Sequence, residues 1–120
     1  MTYKITQWAN DEILEINISG QATKSNAALI ADEVWKIVLS QKLKRILVDV
    51  RKLEGRIGLA ETVFLVDQYP SISMGYVTAA LDKTENEHFY KFHETVSLNR
   101  GFIIRYFNDP VEARKWLGFK

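Results

Sequence analysis

The sequence predicts an α/β domain with a mixed, mostly parallel five-stranded sheet and four helices, in the order β-β-α-β-α-β-α-β-α. Three observations support this fold. The first two strand-length segments alternate apolar with polar residues, the later apolar runs are separated by segments with helical spacing, and 120 residues suffice for one domain. Strands that alternate with helices form parallel sheets through right-handed crossovers. We therefore expect residues 1–120 to form a single domain whose first strand is antiparallel, at or near an edge.

The N-terminal part of the chain predicts a hairpin followed by a helix. YKITQW and EILEINIS are separated by the turn-forming segment Ala9-Asn10-Asp11, and each predicted strand has one solvated face. In ATKSNAALIADEVWKIVLSQK the spacing becomes helical, and Ser25 or Asn26 can cap the start. The apolar stripe of this helix consists of Ala27, Ile30, Ala31, Val34, Ile37 and Val38.

The middle of the chain predicts a buried strand, a loop, a short helix and another strand. RILVDV is almost continuously apolar, which is typical of a central strand covered on both faces. The loop RKLEGRIG follows, and LAETVFLVDQ predicts a short helix that stops at Tyr69-Pro70. GYVTAAL is the next apolar strand.

The last third predicts helix, strand and helix. Thr84 and Glu87 have the spacing of a capping box, which opens a helix that runs to about Arg100. FIIRYF predicts the last strand. Asp109-Pro110 combines an N-cap with a proline at the first helical position, and Gly118 ends that helix.

Composition excludes several classes of function. The 16 Lys and Arg residues are balanced by 15 Asp and Glu residues, so no net field favours nucleic acid or anionic lipid. The absence of cysteine excludes disulfides, thiolate nucleophiles and cysteine-based zinc sites. No apolar run reaches the ~18 residues of a membrane span, and the N-terminus lacks a signal-peptide layout. We expect a cytoplasmic protein without a membrane span.

The first candidate site is the loop DVRKLEGRIGLAE after the central strand. Ligands of open α/β sheets meet the loops at the carboxyl ends of strands, and the backbone N–H groups of the following helix start can hold an anion. The glycine spacing is not that of a phosphate-binding loop. A turn in which Glu54 and Arg56 pair on the surface is the alternative. The predicted partner-binding residues are Asp49, Arg51, Glu54, Gly55, Arg56 and Gly58.

The second candidate site is FHETVSLNRGF, a possible polar cluster of His93, Glu94, Asn99 and Arg100. His93 shares its predicted helix face with phenylalanines, so we expect a buried histidine bonded to a backbone carbonyl. Gly101 matches a left-handed helix cap, with the next residue packing back on the helix. The alternative is an acid–base cluster where the helix meets the sheet.

The sequence contains no recognisable catalytic constellation, since no serine stands in a Gly-x-Ser-x-Gly elbow. His88 and His93 are five residues apart, which directs them about 140° apart on a helix. They cannot chelate one ion together. We predict no metal site and no cofactor.

The chain resembles the STAS domain, in its SpoIIAA-like branch. The resemblance covers nearly the whole chain and is carried by the opening hairpin, by SNAALIADEVWKIVLSQKLKRILVDVRKLEG and by FHETVSLNRGFIIRYFNDPVEARKWL. It implies a non-enzymatic domain that docks onto a protein partner. In anti-sigma factor antagonists a serine at the start of the helix after the central strand is phosphorylated. The matching positions here are Gly58 and Leu59, and the nearest hydroxyl, Thr62, lies a turn inside the helix.

These observations lead to a first hypothesis and three alternatives. The first is a regulatory or scaffolding module that binds a protein partner through the loop after Asp49. Because SpoIIAA-like proteins are also similar to Sec14-type domains, the second is a carrier of a small apolar ligand or lipid. An enzyme using His93, Glu94 and Arg100 comes third, and self-association through Trp35 and Leu39 is a further possibility. The aromatic residues that would line an apolar pocket are Trp35, Phe64, Phe89 and Phe92.

Overall fold

The computed structural model describes residues 2–10 and 12–118. The predicted fold class and element order are confirmed. The predicted turn residue Asp11 lies outside the described residues. The elements are β1 (Tyr3–Ala9), β2 (Ile13–Gln21), α1 (Ala27–Gln41), β3 (Arg45–Glu54), α2 (Leu59–Asp67), β4 (Val77–Leu81), α3 (Glu87–Asn99), β5 (Ile103–Phe107) and α4 (Pro110–Trp116), with 3₁₀ turns at Ser71–Gly75 and Thr84–Asn86.

The five strands form one sheet in the order β1-β2-β3-β4-β5. Strand β1 pairs antiparallel with β2 at the edge, as predicted, and the remaining neighbours are parallel. The register places Asp49 of β3 beside Leu81 of β4. The carboxyl ends of these two strands therefore meet at one edge of the sheet, where the loop after β3 and Asp82 come together.

The two faces of the sheet carry different helices, because successive side chains of a strand point to opposite faces. On the inner face, Ile16 and Ile46 pack in one cluster with residues of α1. Ile104 packs there with Val66 of α2 and Val96 of α3. Helix α4 covers part of the outer face. The cluster on that face consists of Ile13, Leu47, Ala79, Leu81, Ala113 and Leu117.

Two predicted helix termini have the expected local chemistry. At the end of α3, Gly101 has φ +89°, its N–H donates to the Leu98 carbonyl over 3.0 Å, and the Phe102 N–H donates to the Ser97 carbonyl over 2.9 Å. This pair of bonds is a Schellman motif. At the start of α4, the Asp109 side chain accepts from the backbone N–H of Val111 over 3.1 Å. Both termini depend on neighbouring residues, which is why sequence spacing predicted them.

Asn26 is the N-cap residue of α1, as predicted, but two predicted side-chain caps are not formed. The Asn26 side chain accepts from the backbone N–H of Thr23 and donates to the Gln21 carbonyl. It therefore stabilises the loop before α1 and makes no capping hydrogen bond to the helix. The predicted capping box at Thr84 is not formed, since residues 84–86 make a 3₁₀ turn and α3 begins at Glu87. There the Asn86 side chain donates to the Asp82 carboxylate over 2.8 Å.

Candidate functional site

A largely apolar cavity of about 160 Å³ lies between helices α1, α2 and α3 and the inner face of the sheet. Several of its lining positions are alanines, including Ala27 and Ala31 on one side of α1 and Ala80 on β4. Small side chains at successive turns of a helix leave unfilled volume beneath it. For comparison, an engineered apolar cavity of about 150 Å³ binds benzene. This cavity is therefore large enough for a small ring.

A second cavity of about 320 Å³ lies next to the first, between the start of α1 and α2. The two share Ala27, Ile57 and Leu65 as lining residues, so they are adjacent. Lys24 and Glu61 line the second cavity and form an ion pair of 3.6 Å. We call this second cavity the outer groove.

Three titratable residues form a hydrogen-bonded unit that lines the first cavity. The Tyr69 hydroxyl lies 2.7 Å from His93 Nε2, and the Tyr106 hydroxyl lies 2.8 Å from His93 Nδ1. His93 is 7% exposed and stacks on Phe89 at 5.6 Å between ring centroids. Burial of His93 is confirmed, but its partners are two hydroxyls and not a backbone carbonyl. The tyrosines come from other elements of the fold, beyond the reach of local spacing.

Burial keeps this unit neutral at neutral pH. Removal from water lowers the pKa of His93 to about 4, because the imidazolium ion loses its hydration. The same effect raises the pKa of the Tyr69 and Tyr106 hydroxyls, since it disfavours the phenolate. We call Tyr69, His93 and Tyr106 the Tyr–His–Tyr unit.

Arg56 and Asp82 form a buried ion pair at the edge of the cavity. Arg56 Nη2 donates to Asp82 Oδ1 over 2.9 Å and Nε donates to Oδ2 over 3.3 Å, with side chains 10% and 0% exposed. The remaining N–H groups of Arg56 donate to the carbonyls of Val50, Leu53 and Gly55. The loop after β3 is thus fastened to the end of β4. The alternative surface pair of Glu54 with Arg56 is wrong, because Arg56 turns inward to a carboxylate 26 residues away.

The other residues of the predicted partner-binding loop lie in different places. Asp49 stands between the cavity-lining Val48 and Val50, so it projects from the outer face of the sheet, where it pairs with Arg51 at 2.8 Å. Burial alone would raise the pKa of Asp49, but the hydrogen bonds from Arg51 outweigh it and hold that pKa below its usual value. Glu54 is exposed, with its carboxylate 3.9 Å from the Lys83 ammonium.

The two glycines of the loop are structural. Gly55 has φ +83°, and a Cβ at this position would lie 2.6 Å from the Ala22 carbonyl oxygen. Gly58 precedes α2, and its carbonyl accepts from both the N–H and the hydroxyl of Thr62. Glu54 and Gly58 are both exposed, whereas Asp49 and Arg51 pair with each other and Arg56 is held in the buried pair with Asp82.

The four residues of the possible polar cluster do not converge. His93 belongs to the Tyr–His–Tyr unit, while Glu94 accepts from the backbone N–H of Tyr106 over 2.7 Å. Arg100 pairs with Asp67, and Asn99 is exposed. His93 and Glu94 point about 100° apart on α3, while Asn99 and Arg100 lie well over a turn further along at the end of the helix, so the four residues have different neighbours.

The aromatic residues predicted to line a pocket are divided. Trp35 and Phe89 line the cavity, whereas Phe64 lines the outer groove and is 69% exposed. Phe92 packs in the core cluster of α2, α3 and β5. Trp35 and Leu39, predicted as a self-association patch, are half-buried and pack against the core. That patch is absent, because α1 turns both side chains toward the sheet.

Sequence reasoning missed Tyr69 and Tyr106 as site residues. The sequence pattern predicts only that Tyr69 ends a helix and that Tyr106 belongs to a strand. The available signal was alternation in FIIRYF, which places Tyr106 on the same face as the buried Ile104. Tyr69 carries no comparable local signal.

Among residues 2–10 and 12–118, no group of three or more His, Asp or Glu side chains is placed to hold a metal ion. In the same part of the chain, none of the helices has the length and apolar character needed to cross a membrane.

Among the solved proteins that are similar in structure to this chain are two of comparable length. One is an anti-sigma factor antagonist from Mycobacterium paratuberculosis, with a TM-score of 0.61 and 13% identity over 97% of this chain and 94% of that one. The other, from Shewanella loihica, is an uncharacterised protein with a SpoIIAA-like fold, with a TM-score of 0.59 and 14% identity over 96% and 93% of the two chains. No family model and no curated protein matches the sequence. The likeness is one of fold.

Proposed function

We propose that this chain, which has the SpoIIAA-like fold of STAS domains, is a regulatory module that acts by docking onto a protein partner. The observation that carries the proposal is the exposure of two large apolar side chains on α2. Leu59 is 49% exposed and Phe64 69% exposed. Large aromatic side chains are enriched at protein interfaces. We define the docking surface as the exposed residues Glu54, Gly58, Leu59, Ala60 and Phe64.

Docking at this surface differs from the phosphoswitch of anti-sigma factor antagonists. Thr62 is the one hydroxyl residue of α2, and its side chain is fully buried, with Oγ1 donating to the Gly58 carbonyl over 2.8 Å. A kinase cannot reach it without unfolding the first turn of the helix. We therefore propose that binding here is controlled by something other than phosphorylation of α2.

Phe64→Asp should weaken partner binding by at least about tenfold, because truncating a central aromatic contact typically costs 2 kcal/mol or more. The matched control is Val111→Asp. Val111 is 57% exposed and lies on α4, which covers the outer face of the sheet, whereas α2 packs on the inner face. The measurement is recovery of partners from the native host with each tagged variant. If both variants recover the same amount of partner protein, the docking surface defined above does not bind the partner.

A second candidate function is supported by the cavity: the chain binds a small, mostly apolar ligand between α1, α2 and the sheet. The volume of about 160 Å³ suits a ring of roughly benzene size. A full lipid chain does not fit that volume.

Filling the cavity should abolish ligand binding. Ala31→Leu adds bulk inside the cavity, whereas Ala28→Leu adds the same bulk in the outer groove. We expect native mass spectrometry of gently purified protein, and thermal shifts with toluene, to show a ligand in the native chain and in Ala28→Leu but not in Ala31→Leu. A ligand-free mass and no thermal shift in all three proteins would refute the second candidate.

A further inference from the structure

We propose that the Tyr–His–Tyr unit selects a neutral hydrogen-bond acceptor, such as a ketone or aldehyde oxygen, on a small ring bound in the cavity. The inference rests on the second candidate function above, and it names the ligand chemistry that the cavity would accept. Three features carry it: an unused proton in the unit, the absence of an available cation, and the size of the cavity.

The first feature is a proton count. A neutral imidazole has one N–H donor and one bare nitrogen acceptor, and each tyrosine hydroxyl has one proton. One tyrosine donates to the bare nitrogen and the other accepts the imidazole N–H, which accounts for both contacts of His93. The hydroxyl proton of the accepting tyrosine is then left over, whichever tautomer His93 adopts.

That leftover proton has no other acceptor in the described part of the chain. Within residues 2–10 and 12–118, the two hydroxyls form hydrogen bonds with His93 and with no other residue. Both tyrosines line the cavity, and both residues are half-buried. An unpaired donor beside an apolar cavity costs free energy that a ligand acceptor would recover. The unit is therefore a preformed donor for an acceptor atom.

The second feature decides against anions. Arg56 is the one cationic residue that lines the cavity within residues 2–10 and 12–118. Its five N–H donors are all used, two on Asp82 and three on backbone carbonyls, and Asp82 compensates its charge. A carboxylate or phosphate would thus enter without a counterion, at a large desolvation cost. The acceptor must be uncharged.

The third feature is size. With about 160 Å³ available, a ring of roughly six to eight non-hydrogen atoms fills the cavity. Cyclohexanone and methylenecyclohexane form a suitable pair of probes, because they share ring and shape and differ in whether the exocyclic atom accepts a hydrogen bond. Comparing the two separates recognition of the acceptor from burial of the ring.

The experiment measures the dissociation constants of both probes by NMR titration for the native chain and for Tyr69→Phe, Tyr106→Phe and Tyr90→Phe. Phenylalanine keeps the ring and removes the hydroxyl. Tyr90 is the matched control, since it stacks on Tyr106 at 5.0 Å, its hydroxyl bonds to Asn108, and it does not line the cavity. Melting curves check that each variant is folded.

We expect one of Tyr69→Phe and Tyr106→Phe to weaken cyclohexanone binding by about tenfold relative to methylenecyclohexane, the size of one hydrogen bond. Tyr90→Phe should leave the ratio of the two constants unchanged. An unchanged ratio in all three variants overturns the inference while leaving ligand binding intact. If neither probe binds the native chain, both this inference and the second candidate function fail.

Discussion

Arg56→Ala should lower the free energy of unfolding by about 3–5 kcal/mol, among the largest effects of any single substitution in this chain. The variant leaves the Asp82 carboxylate, 0% exposed, without its counterion. It also leaves the carbonyls of Val50, Leu53 and Gly55 without the donors that Arg56 supplies. Urea denaturation followed by circular dichroism measures the loss.

A double-mutant cycle tests whether the loss comes from the ion pair. Asp82→Asn alone should also be destabilising, because the Arg56 charge then stays buried. The double variant Arg56→Met with Asp82→Asn should lose less stability than the sum of Arg56→Met and Asp82→Asn measured singly, since no charge is left unpaired. The control is Lys36→Ala, which removes an exposed pair with Asp32 and should have little effect. Strict additivity of the two buried substitutions would contradict the assignment.

This result also determines how docking must be tested. Because Arg56 fastens the loop to the end of β4, substituting it would disturb fold and docking surface together. Loss of partner binding by an Arg56 variant could not then be assigned to a direct contact. Phe64 and Glu54 are exposed and avoid this problem.

Lowering the pH from 7 to 4 should remove about 3 kcal/mol of stability through His93 alone. Its pKa falls from the usual 6.5 in the unfolded chain to about 4 in the folded protein. Between these values the unfolded chain binds the additional proton, so protonation favours unfolding. The contribution of His93 is therefore fully present above pH 6.5 and is lost as the pH falls toward 4. Urea midpoints at intervals across this range measure it.

His93→Gln should flatten this part of the profile, because glutamine does not titrate. The variant will be less stable at pH 7, so the informative quantity is the slope between pH 6.5 and 4. His88→Gln is the control, since His88 is exposed and its removal should leave the slope in place. A slope that persists unchanged in His93→Gln would show that another group causes it.

The sequence alone determined the features that depend on neighbouring residues. Period-two and helical spacing predicted the order of strands and helices, and the central position of β3 followed from its continuous apolar run. The Schellman motif at Gly101 and the cap at Asp109 were predicted for the same reason, since each hydrogen bond joins residues close in the sequence. The predicted capping box at Thr84 was wrong, and residues 84–86 instead form a 3₁₀ turn in which the Asn86 side chain donates to Asp82.

Only the tertiary structure decided which side chains meet inside the domain. Tyr69 reaches His93 across 24 residues and Tyr106 across 13, while Arg56 reaches Asp82 across 26. These contacts depend on strand register, on the side of the sheet that each helix covers, and on the space that the alanines of α1 leave open. A short segment of sequence does not determine these features, because each is set when separate elements pack against one another. Local spacing therefore fixes which elements form, and packing fixes the chemistry between them.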